Sequence, residues 1–263
     1  MDFQDIKVER AEGLGFLTIN RTDRNNAVRA QTLQEICAGL DDLSADAAVK
    51  AIVLRAEGKH FCAGADFVFL EGLTRMTPSQ VQREIYSHFQ GAARRVYGCP
   101  KPTVALVSGA AVTVGCELAL ACDFRLVSDT AKFQESWVKL GLMPPLGGLF
   151  LLPRLVGLSR ASQMVLLGQA LTAEEAVKTG LASELVSVDQ LDIRGREFAA
   201  ELAKLPPLAY AAIKQGLHRG MESSMEHEWA ANVLAQSVLL STEDYREGLA
   251  AVKERRAADF QGR

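Results

Sequence analysis

Twice in the first half of the chain, a buried-looking apolar run closes on glycine and is followed by helical periodicity. The runs are "KAIVLRAEG" (50–58) and "KPTVALVSG" (101–109). Strands of this kind, alternating with helical runs, predict crossover connections and hence an α/β fold. "GFLTIN" (15–20) reads as a further strand and "AQTLQEICAGLDDLSAD" (30–46) as an amphipathic helix. "PSQVQREIYSHFQGAARRVYGC" (78–99) reads as a long helix stopped by proline. A short helix at 115–123 follows the second glycine stop, and "FRLVSD" and "AKFQES" return to strand character. Beyond "GGLFLLPRLVG" the pattern is almost wholly helical, with one strand-like run at 181–187 and a capping box in "LTAEEAVKTG". The division this suggests is an α/β core over 1–200 and a helical region over 201–263.

Composition narrows the chemistry. With 263 residues, 48% of them hydrophobic, the chain can bury a large core. A net charge of −3 supplies no basic stripe for nucleic acid or an anionic membrane surface. No uninterrupted apolar stretch approaches the roughly 18 residues of a membrane span. "MDFQDIKVERAEG" has no targeting pattern, so a cytoplasmic protein is expected. Cys37, Cys62, Cys99, Cys116 and Cys122 are odd in number and lack paired metal spacing, which suits reduced thiols. His60, His88, His218 and His227 show no ligand spacing, and "GLGF" lacks the dinucleotide fingerprint, so neither metal nor redox cofactor is expected.

A small-molecule site is expected where two strand ends meet small residues. "HFCAGADF" (60–67) follows the strand at 50–55, and "SGAAVTVGCELAL" (108–120) follows the strand at 102–107. Free amides at such turns, one of them opening a helix, favour negative charge, and a pair of them can hold a developing oxyanion. Glu117 lies three residues after Val114, about one helical turn along the same face. Its neighbours Leu118 to Ala121 are apolar, which favours the protonated carboxyl.

These segments, with "NRTDRNNAV" before them and "LLPRLVG" and "LTAEEAVKTGLASELV" after them, resemble the crotonase superfamily of enoyl-CoA hydratases and isomerases. The resemblance runs from about residue 5 to 260. It implies a spiral of ββα units, a helical C-terminal trimerisation region, homotrimers or hexamers, and acyl-CoA thioester substrates, with coenzyme A entering as part of the substrate. It implies that the amides of Ala65 and Val114 hold the thioester oxygen, that Glu117 moves a proton, and that Arg24, Ala27, Ala63 and Asp66 lie along the CoA path.

The chain departs from the hydratase pattern in two places. A Gly-Gly-Gly run usually precedes Cys-Glu-Leu; here the stretch is "VTVG", and the β-branched Val114 crowds the thioester. The second glutamate of the hydratases falls on Trp137, which then shapes the acyl pocket. Glu135, two residues upstream, would lie about 6.5 Å back along an extended strand, out of reach of the same water, and is expected to be a surface or ion-paired carboxylate. Pro145 stands where related enzymes carry an acidic group in the following turn, and no tyrosine among Tyr86, Tyr97, Tyr210 and Tyr245 is singled out. The expected activity is enoyl-CoA isomerisation or hydration through an enolate with Glu117 as the single acid/base. The alternative is a degenerate member that binds acyl-CoA, or a partner, with little catalysis.

Overall fold

The computed structural model describes residues 2–263. Nine strands build two sheets. The larger takes the order β1 (Ile6–Ala11), β2 (Leu14–Ile19), β3 (Ala51–Ala56), β4 (Thr103–Val107), β6 (Phe124–Ser128), β9 (Glu184–Val186), and the smaller the order β5 (Ala110–Val112), β7 (Lys132–Gln134), β8 (Ala170–Thr172). From β2 onward the large sheet is parallel, and only the β1–β2 hairpin is antiparallel. This is the mixed α/β architecture expected.

Burial explains the alternation. Every residue of β2 and of β4 is buried, as strands covered on both faces require. The Ala30–Ala45 helix covers one face with Leu33, Ile36, Cys37, Leu40 and Leu43, a repeat of three and four residues that lines one side of a helix. On the other face, Leu191 and Ala199 of the Leu191–Leu202 helix pack with Phe16, Val53 and Leu106. Each fully buried Leu, Ile or Phe contributes about 1.5–3 kcal/mol.

Three short strands were illegible to pattern reading. β1 has one buried residue in six and runs polar because it is an edge, while β5 and β8 are three residues long. The helix expected over 78–99 is interrupted by a π-type turn, Val81–Ile85, before Tyr86–Tyr97 resumes it. The C-terminal helices Pro207–Gly220, Met225–Leu239 and Glu243–Glu254 follow as expected. The first is tied to the core by Lys214, which is buried and donates to Asp123 at 2.9 Å. Leu217, Trp229, Val233 and Leu234 on these helices stay exposed. No helix among the described residues is long and apolar enough to cross a membrane.

Candidate active site

Because β3 and β4 are parallel neighbours, the turns that leave them emerge at the same sheet edge. There Cys62 and Ala111 form a β-bridge: the Cys62 amide donates to the Ala110 carbonyl and the Val112 amide to the Cys62 carbonyl, both at 2.9 Å. The Val114–Ala121 helix then starts hard against the first turn. A Cβ on Gly115 would sit 2.5 Å from the Cys62 Cβ and 2.7 Å from its carbonyl oxygen, so only glycine allows this approach. Gly115→Ala is expected to drive the two turns apart, costing about 1–3 kcal/mol of stability. Thermal unfolding measures it as a fall of several degrees in Tm.

The two amides expected to form an anion site lie on these turns. Ala65 bridges Val28 through its neighbours' groups: the Val28 amide donates to the Gly64 carbonyl and the Asp66 amide to the Val28 carbonyl, each at 2.8 Å. In a parallel bridge this turns the N–H of Ala65 itself the other way. Val114 supplies the first N–H of its helix. Among the described residues neither amide meets an acceptor. Between them stands Thr113, a residue that sequence reasoning passed over, with φ +46° and ψ −108°. This conformation is disfavoured for a β-branched side chain and stores on the order of 1–3 kcal/mol. It is enforced from both sides, since the Thr113 amide donates to Gln134 at 2.8 Å and its carbonyl accepts from the Glu117 amide at 2.9 Å.

Glu117 is 1% exposed and fully partnered. One carboxylate oxygen, Oε2, accepts from the amides of Leu146 (2.7 Å) and Gly148 (2.8 Å); the other, Oε1, accepts from the Trp137 indole Nε1 at 3.2 Å. Gly148 opens the Gly148–Val156 helix, so the carboxylate also faces that helix's positive end. Burial pushes the carboxyl up and the three donors pull it back, leaving it at about 7 instead of 4.5. The far end of the Val114–Ala121 helix is held by Arg125, whose buried guanidinium donates to the carbonyls of Ala119 (3.2 Å) and Cys122 (2.6 Å). A buried carboxyl pushed up to about 7, on a helix that opens with a free amide, is suited to removing and returning a proton next to a polarised carbonyl.

Trp137 is buried against this carboxylate, brought there by the small sheet. β7 pairs with β5, so the chain leaving Gln134 runs alongside the start of the Glu117 helix. The strand ends at Gln134 and a 3₁₀ turn begins at Trp137, so the extended spacing assumed for Glu135 does not apply. Glu135 is neither a surface nor an ion-paired carboxylate: it is 0% exposed and neither oxygen has a hydrogen-bond partner. Burial, and after it the charge of Glu117, pushes its carboxyl well above the ordinary range.

The remaining expected site residues gather at the outer edge of the same turns. The Ala63 amide donates to Asn25 at 3.1 Å, so the loop carrying Arg24 and Ala27 lies against Ala63–Asp66. Ala63 is exposed and Ala27 half-buried. The Arg24 side chain is 64% exposed, and its charged neighbour is Asp23 at 3.5 Å. Asp66 has structural partners of its own: it caps the Phe67–Leu73 helix through the Val68 amide at 2.9 Å and pairs with Arg21 at 3.2 Å. Arg21 and the amides of Leu146 and Gly148 were missed from sequence, although "PPLGG" marks a turn there. No group of His, Cys, Asp and Glu side chains among the described residues is arranged to hold a metal ion.

Known proteins resemble the chain along its whole length. The family model described as "Enoyl-CoA hydratase/isomerase" matches residues 9–263. A Rhodobacter capsulatus protein named "Probable enoyl-CoA hydratase" is 37% identical over 265 aligned positions, with the whole of both chains covered. The crotonyl-CoA hydratase of Syntrophomonas wolfei is 33% identical, with 99% of each chain covered. The crystal structure of an enoyl-CoA hydratase from Bacillus anthracis superposes with a TM-score of 0.91 at 30% identity, covering 99% of this chain and 100% of that one.

Proposed function

Since the chain belongs to the enoyl-CoA hydratase/isomerase family, we propose that it shifts the double bond of an enoyl-CoA thioester, with Glu117 as the only proton carrier. The observation that supports this reading is the environment of Glu117: a buried carboxyl pushed up to about 7, one turn along the helix from the open Val114 amide, facing an indole instead of a second carboxylate. Adding water across a conjugated double bond needs one group to activate the water and one to manage the α-proton. Moving a proton from C2 to C4 of a 3-enoyl thioester needs one group. Ionised Glu117 takes the C2 proton as electrons move into the thioester carbonyl, the Ala65 and Val114 amides stabilise the dienolate oxygen, and protonated Glu117 returns the proton to C4. Nothing is gained or lost overall. The Trp137 ring then forms a flat apolar wall for the acyl group, while the loop of Arg24 and Ala27 and the turn of Ala63 and Asp66 carry the CoA moiety.

The test is to incubate the protein with 3-enoyl-CoA and 2-enoyl-CoA thioesters. Conversion of the 3-enoyl to the conjugated 2-enoyl isomer at unchanged mass is expected. Exclusive formation of a product heavier by one water would overturn it. One observation favours a second reading, binding without turnover: both oxygens of Glu117 already have donors. Tight binding of a broad acyl-CoA panel with no change in any thioester is the outcome that selects it. The exposed Leu217, Trp229, Val233 and Leu234 support the self-association expected of the C-terminal helices.

Trp137→Phe keeps the ring but removes the donor to Oε1, and with it one of the interactions that lower the Glu117 carboxyl. The midpoint of the rise in kcat/KM with pH is expected to move upward from near 7. A pH–rate profile reads the shift directly.

A further inference from the structure

Thr113 occupies the N-cap position of the Val114–Ala121 helix, where a threonine ordinarily accepts from the second or third amide of the helix. Here the hydroxyl makes no such cap, and it has no hydrogen-bond partner among the described residues although the residue is only 5% exposed. Unlike the two Glu135 oxygens, the hydroxyl is not sealed from solvent, so it keeps an open side from which to donate. Its position is informative. A Cβ built on Gly64 would fall 2.5 Å from Thr113 Oγ1, so the hydroxyl lies against the residue that precedes Ala65, while its own residue precedes Val114. It therefore stands between the two turns that present the open amides.

From this geometry we infer that the Thr113 hydroxyl is a third donor to the thioester oxygen, completing the anion site formed with the amides of Ala65 and Val114. The inference rests on the enolate reading given above and adds a catalytic residue to it. A hydroxyl rotates to follow its acceptor, so it can tighten on the oxygen as charge develops there, which a fixed amide cannot. The positive φ, which glycine would adopt without strain, is retained by a threonine whose hydroxyl lies on the Gly64 side and makes no cap.

The experiment binds butyryl-CoA, labelled with carbon-13 at the thioester carbon, to the full-length protein and to Thr113→Ser, Thr113→Ala and Thr113→Gly. Carbon-13 NMR reads the polarisation of the bound carbonyl independently of turnover. The expected result is a downfield shift in the wild type and in the serine variant that is reduced in the alanine and glycine variants. A parallel fall of about 10²-fold in kcat is expected for alanine, the usual cost of one lost oxyanion donor. Glycine, suited to the positive φ, keeps the turn folded should alanine not. A wild-type shift undiminished in the alanine or glycine variant overturns the third donor and leaves the enolate reading standing. A wild type that fails to bind the probe, or binds it without a downfield shift, overturns both.

Discussion

Glu117→Gln is expected to lower kcat for double-bond migration by about 10²–10⁴-fold, the range spanned by loss of a positioned general acid/base. The substitution preserves shape. The glutamine carbonyl can still accept from the Leu146 and Gly148 amides, while its NH₂ group turns toward the Trp137 indole and loses that one bond. Binding of the CoA thioester, and so KM, is therefore expected to change little while kcat collapses. In the wild type, proton abstraction needs the ionised form of a group at about 7, so kcat/KM should rise roughly tenfold per pH unit below neutrality and level off above it. Steady-state kinetics of the two proteins across pH check both statements. Wild-type turnover in the glutamine variant would remove Glu117 from the mechanism.

The second large effect concerns stability. Glu135→Met is expected to raise stability by about 1–3 kcal/mol near pH 7, because an enclosed carboxyl with no partner carries its full desolvation penalty and methionine fills similar space without polar atoms. For a chain of this size that is a rise of several degrees in Tm. The pH dependence carries a sign. Glu135 and Glu117 both hold their protons more tightly folded than unfolded, so as pH rises above about 4.5 the unfolded chain releases protons that the fold retains. Their contribution to stability is complete below that pH and declines with increasing pH. For Glu117 the decline ends near 7; for Glu135 it extends higher. The methionine variant should thus show a flatter fall of Tm on the alkaline side. A variant less stable than wild type at pH 8 would show that Glu135 has a partner after all.

Much of the architecture was legible because long, buried, periodic segments carry it. The strands around 51–56 and 103–107 and the helix at 30–45 fall within a residue or two of their expected bounds. The edge strand at 6–11 and the three-residue strands were not, since an edge has no apolar face and three residues have no period. At the site, the Glu117 helix packs against the turn that leads to Ala65 through the close approach of Gly115 to Cys62. Glu135 could not be read, because its burial depends on a strand that ends at Gln134 and a 3₁₀ turn that starts at Trp137, neither marked by a residue type. Thr113 escaped for a related reason. Threonine in front of a helix signals a cap, and only the structure reveals a backbone at φ +46° whose hydroxyl makes none.

The buried, unpartnered Glu135 also constrains what position 137 can hold. A single replacement of Trp137 by glutamate would crowd a third carboxyl into the neighbourhood of two that already resist ionisation, and would remove the indole that donates to Glu117. Such a carboxyl is less unfavourable once position 135 is neutral, so the two substitutions are energetically coupled. The buried acid at 135 therefore sets an electrostatic cost on any second carboxyl placed beside Glu117.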